Sequence, residues 1–143
     1  MGGKRAQEAP MSDEFRTFFE DYAATYDAFD VDRMVEFVHC PMVTVREGEP
    51  SIHETPDQIH AFFTKLLEWF RGIQHGKASI TKLEARKFGP KSAFADLVWR
   101  STRADGSKYT EWPTAYYLVN TGSGWRILTI VLRYEPAREV SGR

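Results

Sequence analysis

The strongest constraint on this chain is the stretch 93–134, which reads as three long strands joined by two short polar turns. Residues 93–103 run into Ala104-Asp105-Gly106-Ser107, residues 109–120 into Thr121-Gly122-Ser123-Gly124, and residues 125–134 close the set. Asp-Gly and Gly-Ser-Gly are turn chemistry, because glycine takes positive φ without steric cost. An antiparallel meander follows. Three of the four tryptophans (Trp99, Trp112 and Trp125) lie in it. A sheet this long and aromatic must be covered.

The cover is upstream. Phe15, Phe18, Phe19, Tyr22, Tyr26 and Phe29 recur at helical spacing and make one broad aromatic face over residues 13–28, with Ser12 as the expected N-cap. Asp30 can cap a second, short helix whose stripe is Val31, Met34, Val35 and Val38, with Pro41 as its expected stop. Residues 42–46 and 51–54 read as short strands around Gly48. Thr55-Pro56-Asp57-Gln58 combines an N-cap, proline at the first helical position and a capping-box glutamine. The third helix then buries Ile59, Phe62, Phe63, Leu66, Leu67 and Phe70, and Gly72 fits its end. Residues 77–88 form a further strand whose apolar parity switches between Ile80 and Leu83, the mark of a bulge.

The order α-α-β-β-α-β-β-β-β implies an α+β fold. We expect a strongly curved, mainly antiparallel sheet of about six strands wrapped around three helices, leaving a conical pocket. The 143 residues make one domain over 12–136, with a disordered tail at 1–11, in which Met11 is a candidate initiator, and a polar tail at 137–143.

Hydrophobic residues are 42% of the chain and aromatics 14%, enough for a core of this size. A formal charge of −1 gives no electrostatic case for a nucleic acid or a membrane surface. The single cysteine, Cys40, excludes an internal disulfide and suits a cytoplasmic protein. No apolar run is long enough to span a bilayer. His39, His53, His60 and His75 have no metal-ligand spacing, and the glycines match no phosphate-binding loop, so no metal or cofactor is expected.

The element order, the segment Tyr22…Phe29-Asp30-Val31-Asp32-Arg33-Met34-Val35 and the strand start Gly124-Trp125-Arg126-Ile127 resemble the nuclear transport factor 2-like superfamily, in particular its SnoaL-like members. The resemblance covers roughly residues 13–134. It implies the curved-sheet fold and admits enzymes, ligand binders and interaction modules alike. Laid on the superfamily's ketosteroid isomerases, Tyr22 falls at the oxyanion tyrosine, Tyr116 near the second oxyanion acid, and Arg46 near the general-base aspartate. Arginine stays protonated at neutral pH and cannot take up a proton, so the usual isomerase chemistry is disfavoured.

Several residues carry a sharp and a bland reading. Tyr22 and Tyr26, one helical turn apart, are phenol donors to a ligand or core aromatics with satisfied hydroxyls. Asp96, between apolar neighbours, is a desolvated general base or one half of an ion pair with Arg100 or a neighbouring strand. Glu111, Arg133 and Trp99 form a polar-aromatic patch if they share a face, or an outer surface if they do not. His53 is a general base at a pocket mouth or an edge residue.

Three functions are compatible with this reading. The first is binding of an apolar or ring-bearing small molecule, lined by Tyr22, Tyr26, Trp99 and Tyr116. The second is an isomerase, cyclase or dehydratase with Asp96 or His53 as base and Tyr22 as oxyanion donor. The third is a dimeric interaction module, since the meander reads as apolar on both faces: Leu97 and Trp99 against Val98, and Ile127 and Val131 against Leu128 and Ile130. Helices cover one face, so a homodimer through the other is expected.

Overall fold

The computed structural model describes the backbone of residues 2–132 and 138–141 and the side chains of 14–132. Among these residues three helices, α1 (Gly2–Asp27), α2 (Val31–Glu36) and α3 (Pro56–Gly72), accompany seven strands. The strands are β1 (Val38–Arg46), β2 (Glu49–His53), β3 (His75–Lys87), β4 (Ser92–Arg103), β5 (Lys108–Asn120), β6 (Trp125–Leu132) and β7 (Arg138–Ser141). They make one mixed, mostly antiparallel sheet in the order β2-β1-β6-β5-β4-β3. The β1–β6 pair is parallel, which places the first strand of the chain beside the last strand of the meander.

The meander forms through the turns its sequence specifies. Asp105 Oδ1 accepts from the Ser107 amide at 2.9 Å, and Gly106 takes φ +76° between β4 and β5. Gly122 and Gly124 take φ +115° and +101° between β5 and β6. Strand alternation sends Ala93, Ala95, Leu97, Trp99 and Ser101 inward, while Phe94, Asp96, Val98 and Arg100 face out. The capping of α3 is also local. Thr55 Oγ1 accepts from the Gln58 amide at 3.2 Å, and Gln58 Oε1 accepts from the Glu54 amide at 2.6 Å.

The core lies between the inner sheet face and the two longer helices. Phe15, Phe19 and Tyr22 of α1 and Ile59, Phe63, Leu67 and Phe70 of α3 are buried against Leu97, Trp99, Leu118, Ile127 and Ile130. Phe19 sits with its ring centroid 4.8 Å from Tyr116 and 6.4 Å from Trp99, and Phe15 packs 5.2 Å from Trp125. Each such ring contributes about 1.5–3 kcal/mol on burial.

The structure corrects several expectations. α1 runs back to Gly2, so Ser12 lies inside it rather than capping it. Proline removes one helical hydrogen bond without always ending a helix, and Pro10 is spanned in this way. α2 stops at Glu36, five residues before Pro41, because Val38 onward is recruited as β1 by pairing with β6 and β2. Residues 138–141, expected in a polar tail, form β7 against residues 108–111 of β5, on the edge that β6 leaves vacant beyond Thr114. The left-handed residue after α3 is Gln74 (φ +60°), not Gly72. The bulge expected in β3 is present, between Ile80 and Lys82. A second irregularity, opposite Leu128, puts Ile127 and Ile130 on the same inner face, so β6 does not alternate as a simple strand would.

Candidate functional site

α1, α3 and the inner faces of β1, β3, β4, β5 and β6 enclose a cavity of about 460 Å³. Small-molecule sites fall in the range of roughly 300–1,000 Å³. The wall is graded in exposure. Its buried end is made by Tyr22, Tyr26, Trp99, Thr114 and Tyr116. Phe70 is buried with them, Phe62, Leu66 and Trp112 form the middle, and the rim carries Arg46, Lys65 and the 44% exposed Trp69.

Local structure explains each position. Tyr22 and Tyr26 are one turn apart on the aromatic face of α1, with their hydroxyls sharing a 2.7 Å hydrogen bond. Trp99 and Trp112 are directly opposed across the β4–β5 ladder. Tyr116, two residues from Thr114 on β5, accepts a 2.8 Å hydrogen bond from the Trp99 indole. Phe62, Leu66, Trp69 and Phe70 repeat at helical spacing on α3. Arg46 shares its face of β1 with Thr44 and lies in register with Leu132, itself part of the wall.

Burial pushes the phenols of Tyr22, Tyr26 and Tyr116 well above the ordinary phenol range, and the repulsion between neighbouring phenolates adds to this. All three are therefore neutral hydroxyls at physiological pH. Thr114 Oγ1 is close enough to the Tyr116 hydroxyl to bias its protonation, yet forms no well-aligned hydrogen bond among the described residues. It is the one buried side-chain polar atom among them without a partner. Among the described residues no aspartate, glutamate or histidine lines the cavity, and those that do supply aromatic surface, neutral hydroxyls and two cations.

The sequence-derived candidates divide accordingly. Tyr22, Tyr26, Trp99 and Tyr116 are brought together in the wall, and Arg46 joins them. Asp96 is on the opposite face of β4, in register with Glu84 and Ala115, because residues 96 and 99 differ in strand parity. Arg100 and Glu111 form an outer-face ion pair of 2.7 Å, so Glu111 and Trp99 do not share a patch. Arg133 lies outside the residues whose side chains are described. His53 stands behind the wall. Its ring is 5.1 Å from that of Phe62, its Nε2 is 3.0 Å from Thr44 Oγ1, and burial holds it below the usual imidazole value. Among the described residues no three potential ligands converge on a metal position.

Sequence reasoning missed a second buried cluster. His75, on β3, places Nε2 2.8 Å from Asp27 Oδ1 at the end of α1, and its Nδ1 makes a short hydrogen bond with Ser101 Oγ on β4. Asp27 Oδ1 also accepts from the Ala78 amide at 2.8 Å. Partners 48 and 26 residues apart leave no local signal. Ser101 is 3% exposed and does not line the cavity, so this serine–histidine–aspartate set joins three elements and presents no nucleophile to the pocket. Trp69 and Lys65 were also missed, although Phe62, Leu66 and Trp69 lie three to four residues apart and so share a helix face.

Comparison with solved structures places this architecture. An NTF2-like protein with a cystatin-like fold from Novosphingobium aromaticivorans superposes with a TM-score of 0.70 at 14% identity, over 94% of this chain and 88% of that one. A Catenulispora acidiphila protein solved in complex with S-DNPA gives 0.65 at 17%, over 87% and 93%. A putative calcium/calmodulin-dependent protein kinase II association domain from Xanthomonas campestris gives 0.61 at 15%, over 82% and 83%. At these identities the likeness is one of fold. No curated protein matches the sequence. No helix among the described residues is long and apolar enough to cross a membrane. The family model for NTF2-like protein (DUF6841) matches residues 13–135, and the chain belongs to that family.

Proposed function

We propose that the protein binds a ring-bearing, largely apolar small molecule in the cavity between α1, α3 and the meander. The observation that carries this is the wall itself. Tyr22, Tyr26, Trp99 and Tyr116 bound the same space as Phe62, Trp69, Phe70 and Trp112. Flat aromatic walls favour a ring by stacking and edge contacts worth about 0.5–1.5 kcal/mol per pair beyond area burial. The unpartnered Thr114 hydroxyl supplies one polar contact at the buried end. The Catenulispora relative's small-molecule complex is consistent with a ligand role for the fold.

An isomerase, cyclase or dehydratase is the weaker reading. Its base must reach the substrate to about 3 Å. Asp96 is across the sheet and His53 is behind Phe62, and the polar groups of the wall among the described residues are neutral hydroxyls and cations.

The test uses N-phenyl-1-naphthylamine, a neutral ring probe. Trp69, Trp99 and Trp112 line the cavity and report its occupancy by energy transfer. We expect saturable transfer in the wild type and its loss in Ala78→Phe, which sets a ring into the wall. Absence of saturable binding, or equal binding by a folded Ala78→Phe, contradicts the reading.

A homodimer through the outer sheet face accompanies it. Phe94, 38% exposed, opposes Tyr117, and Val98 opposes Pro113, on the face that α1 and α3 leave uncovered. A sedimentation mass of two chains is expected, and a mass of one chain contradicts it.

A further inference from the structure

The rim of the cavity is electrically one-sided. Among the described residues, Arg46 and Lys65 are its only charged groups. They come from different elements, the end of β1 and the middle of α3, and both border the cavity. Each has an acidic neighbour in reach of its own element. Glu49 faces Arg46 in the β1–β2 register, and Glu68 follows Lys65 by three residues on α3. Neither cation forms an ion pair with any carboxylate among the described residues. Four other basic side chains do find carboxylates: Arg16 with Glu20, Arg33 with Glu36, Lys87 with Glu14 and Arg100 with Glu111. Two cations without an ion pair at the edge of an aromatic chamber make a positive potential at its mouth, because low-dielectric walls focus the field.

We propose that the ligand of this cavity is an anion: a ring body held among Phe70, Trp99 and Trp112, carrying a carboxylate or comparable anionic oxygen group that Arg46 and Lys65 receive at the rim. This rests on the pocket reading above and adds the chemical class of the ligand. A guanidinium offers paired donors to a carboxylate and an ammonium adds a point charge, so the two recognise the same group by different geometry. The buried end is unsuited to that charge. It carries no cation among the described residues, and its neutral phenols and the Thr114 hydroxyl offer a carboxylate dipoles without a compensating charge. The charge therefore stays at the rim and the ring goes in first.

The matched probes are 2-naphthoate and 2-naphthamide, which share a ring body and differ in charge, each titrated calorimetrically at neutral pH. Because both rim cations are exposed, the expected preference for naphthoate is about tenfold at low salt, shrinking as sodium chloride is raised. In the Arg46→Gln/Lys65→Gln double variant the naphthoate-to-naphthamide affinity ratio falls to about one. The salt series on the wild type probes the same charge dependence without relying on the variant. Equal wild-type affinities, or a preference that survives both salt and the double variant, overturns the anionic assignment while naphthamide binding leaves the pocket reading standing. Failure of both naphthalenes and of N-phenyl-1-naphthylamine overturns both.

Discussion

Two buried polar clusters sit side by side in this molecule and do opposite things. Tyr26 and Asp27 are consecutive on α1, and Trp99 and Ser101 are alternate residues on β4. Asp27, His75 and Ser101 close on one another, and the histidine side chain is fully covered. Tyr22, Tyr26, Trp99 and Tyr116 are also hydrogen-bonded, but they border a chamber and leave Thr114 Oγ1 without a partner. The first set has the residue types of a hydrolase and the setting of a structural clasp. The second has ordinary core residues and the setting of a binding site. Accessibility and the satisfaction of each polar atom, not residue type, separate them.

The largest expected effect is on the clasp. His75→Ala removes both hydrogen bonds and the ring packed 5.0 Å from Phe70, and is expected to cost about 3 kcal/mol of stability. Urea unfolding measures it, with naphthalene affinity unchanged in the folded protein. A cost near zero would mean that the cluster is no clasp. Tyr116→Phe comes next, because it strips the acceptor from a buried indole N–H and is expected to cost about 1–2 kcal/mol.

Thr114→Val should differ in sign. Removing a buried hydroxyl that makes no well-aligned hydrogen bond among the described residues is expected to leave stability unchanged or to raise it by up to about 1 kcal/mol. Its penalty should appear in binding of a hydroxyl- or carbonyl-bearing ring instead. A clear loss of stability in Thr114→Val would place that hydroxyl in the clasp class.

The smallest effect is in pH. The folded protein holds His53 below its ordinary value of 6.5 through burial, so folding favours the neutral ring. Its contribution is complete above that value and is lost as pH falls through the folded value. His53→Gln should flatten the decline of the thermal midpoint between about pH 7 and 5. At the alkaline end, Tyr22, Tyr26 and Tyr116 oppose ionisation, so stability is lost as pH rises beyond 10. Their phenolate absorbance should then appear together with unfolding rather than before it.

What was legible in the sequence follows from which signals are local. The meander could be read because its turns are written in Asp-Gly and Gly-Ser-Gly and its strands are long. The third helix could be read because Thr55 and Gln58 carry its cap within four residues. The aromatic wall was accessible through the helical repeat of Tyr22 and Tyr26, and through the density of rings in the meander. Facing was harder. One parity step decides whether Asp96 or Leu97 looks inward, and the irregularity opposite Leu128 inverts the reading of β6. The closure of Asp27, His75 and Ser101, and the meeting of Arg46 with Lys65 at one rim, depend on tertiary approach, for which a single sequence has no periodicity.

The most direct test of the pocket is a crystal structure of the protein grown with 2-naphthamide, the neutral ring. The account predicts the naphthalene against Trp99, Trp112 and Phe70, with the Asp27–His75–Ser101 hydrogen bonds undisturbed. A chamber closed by repacked side chains, with the probe elsewhere or absent, would contradict it.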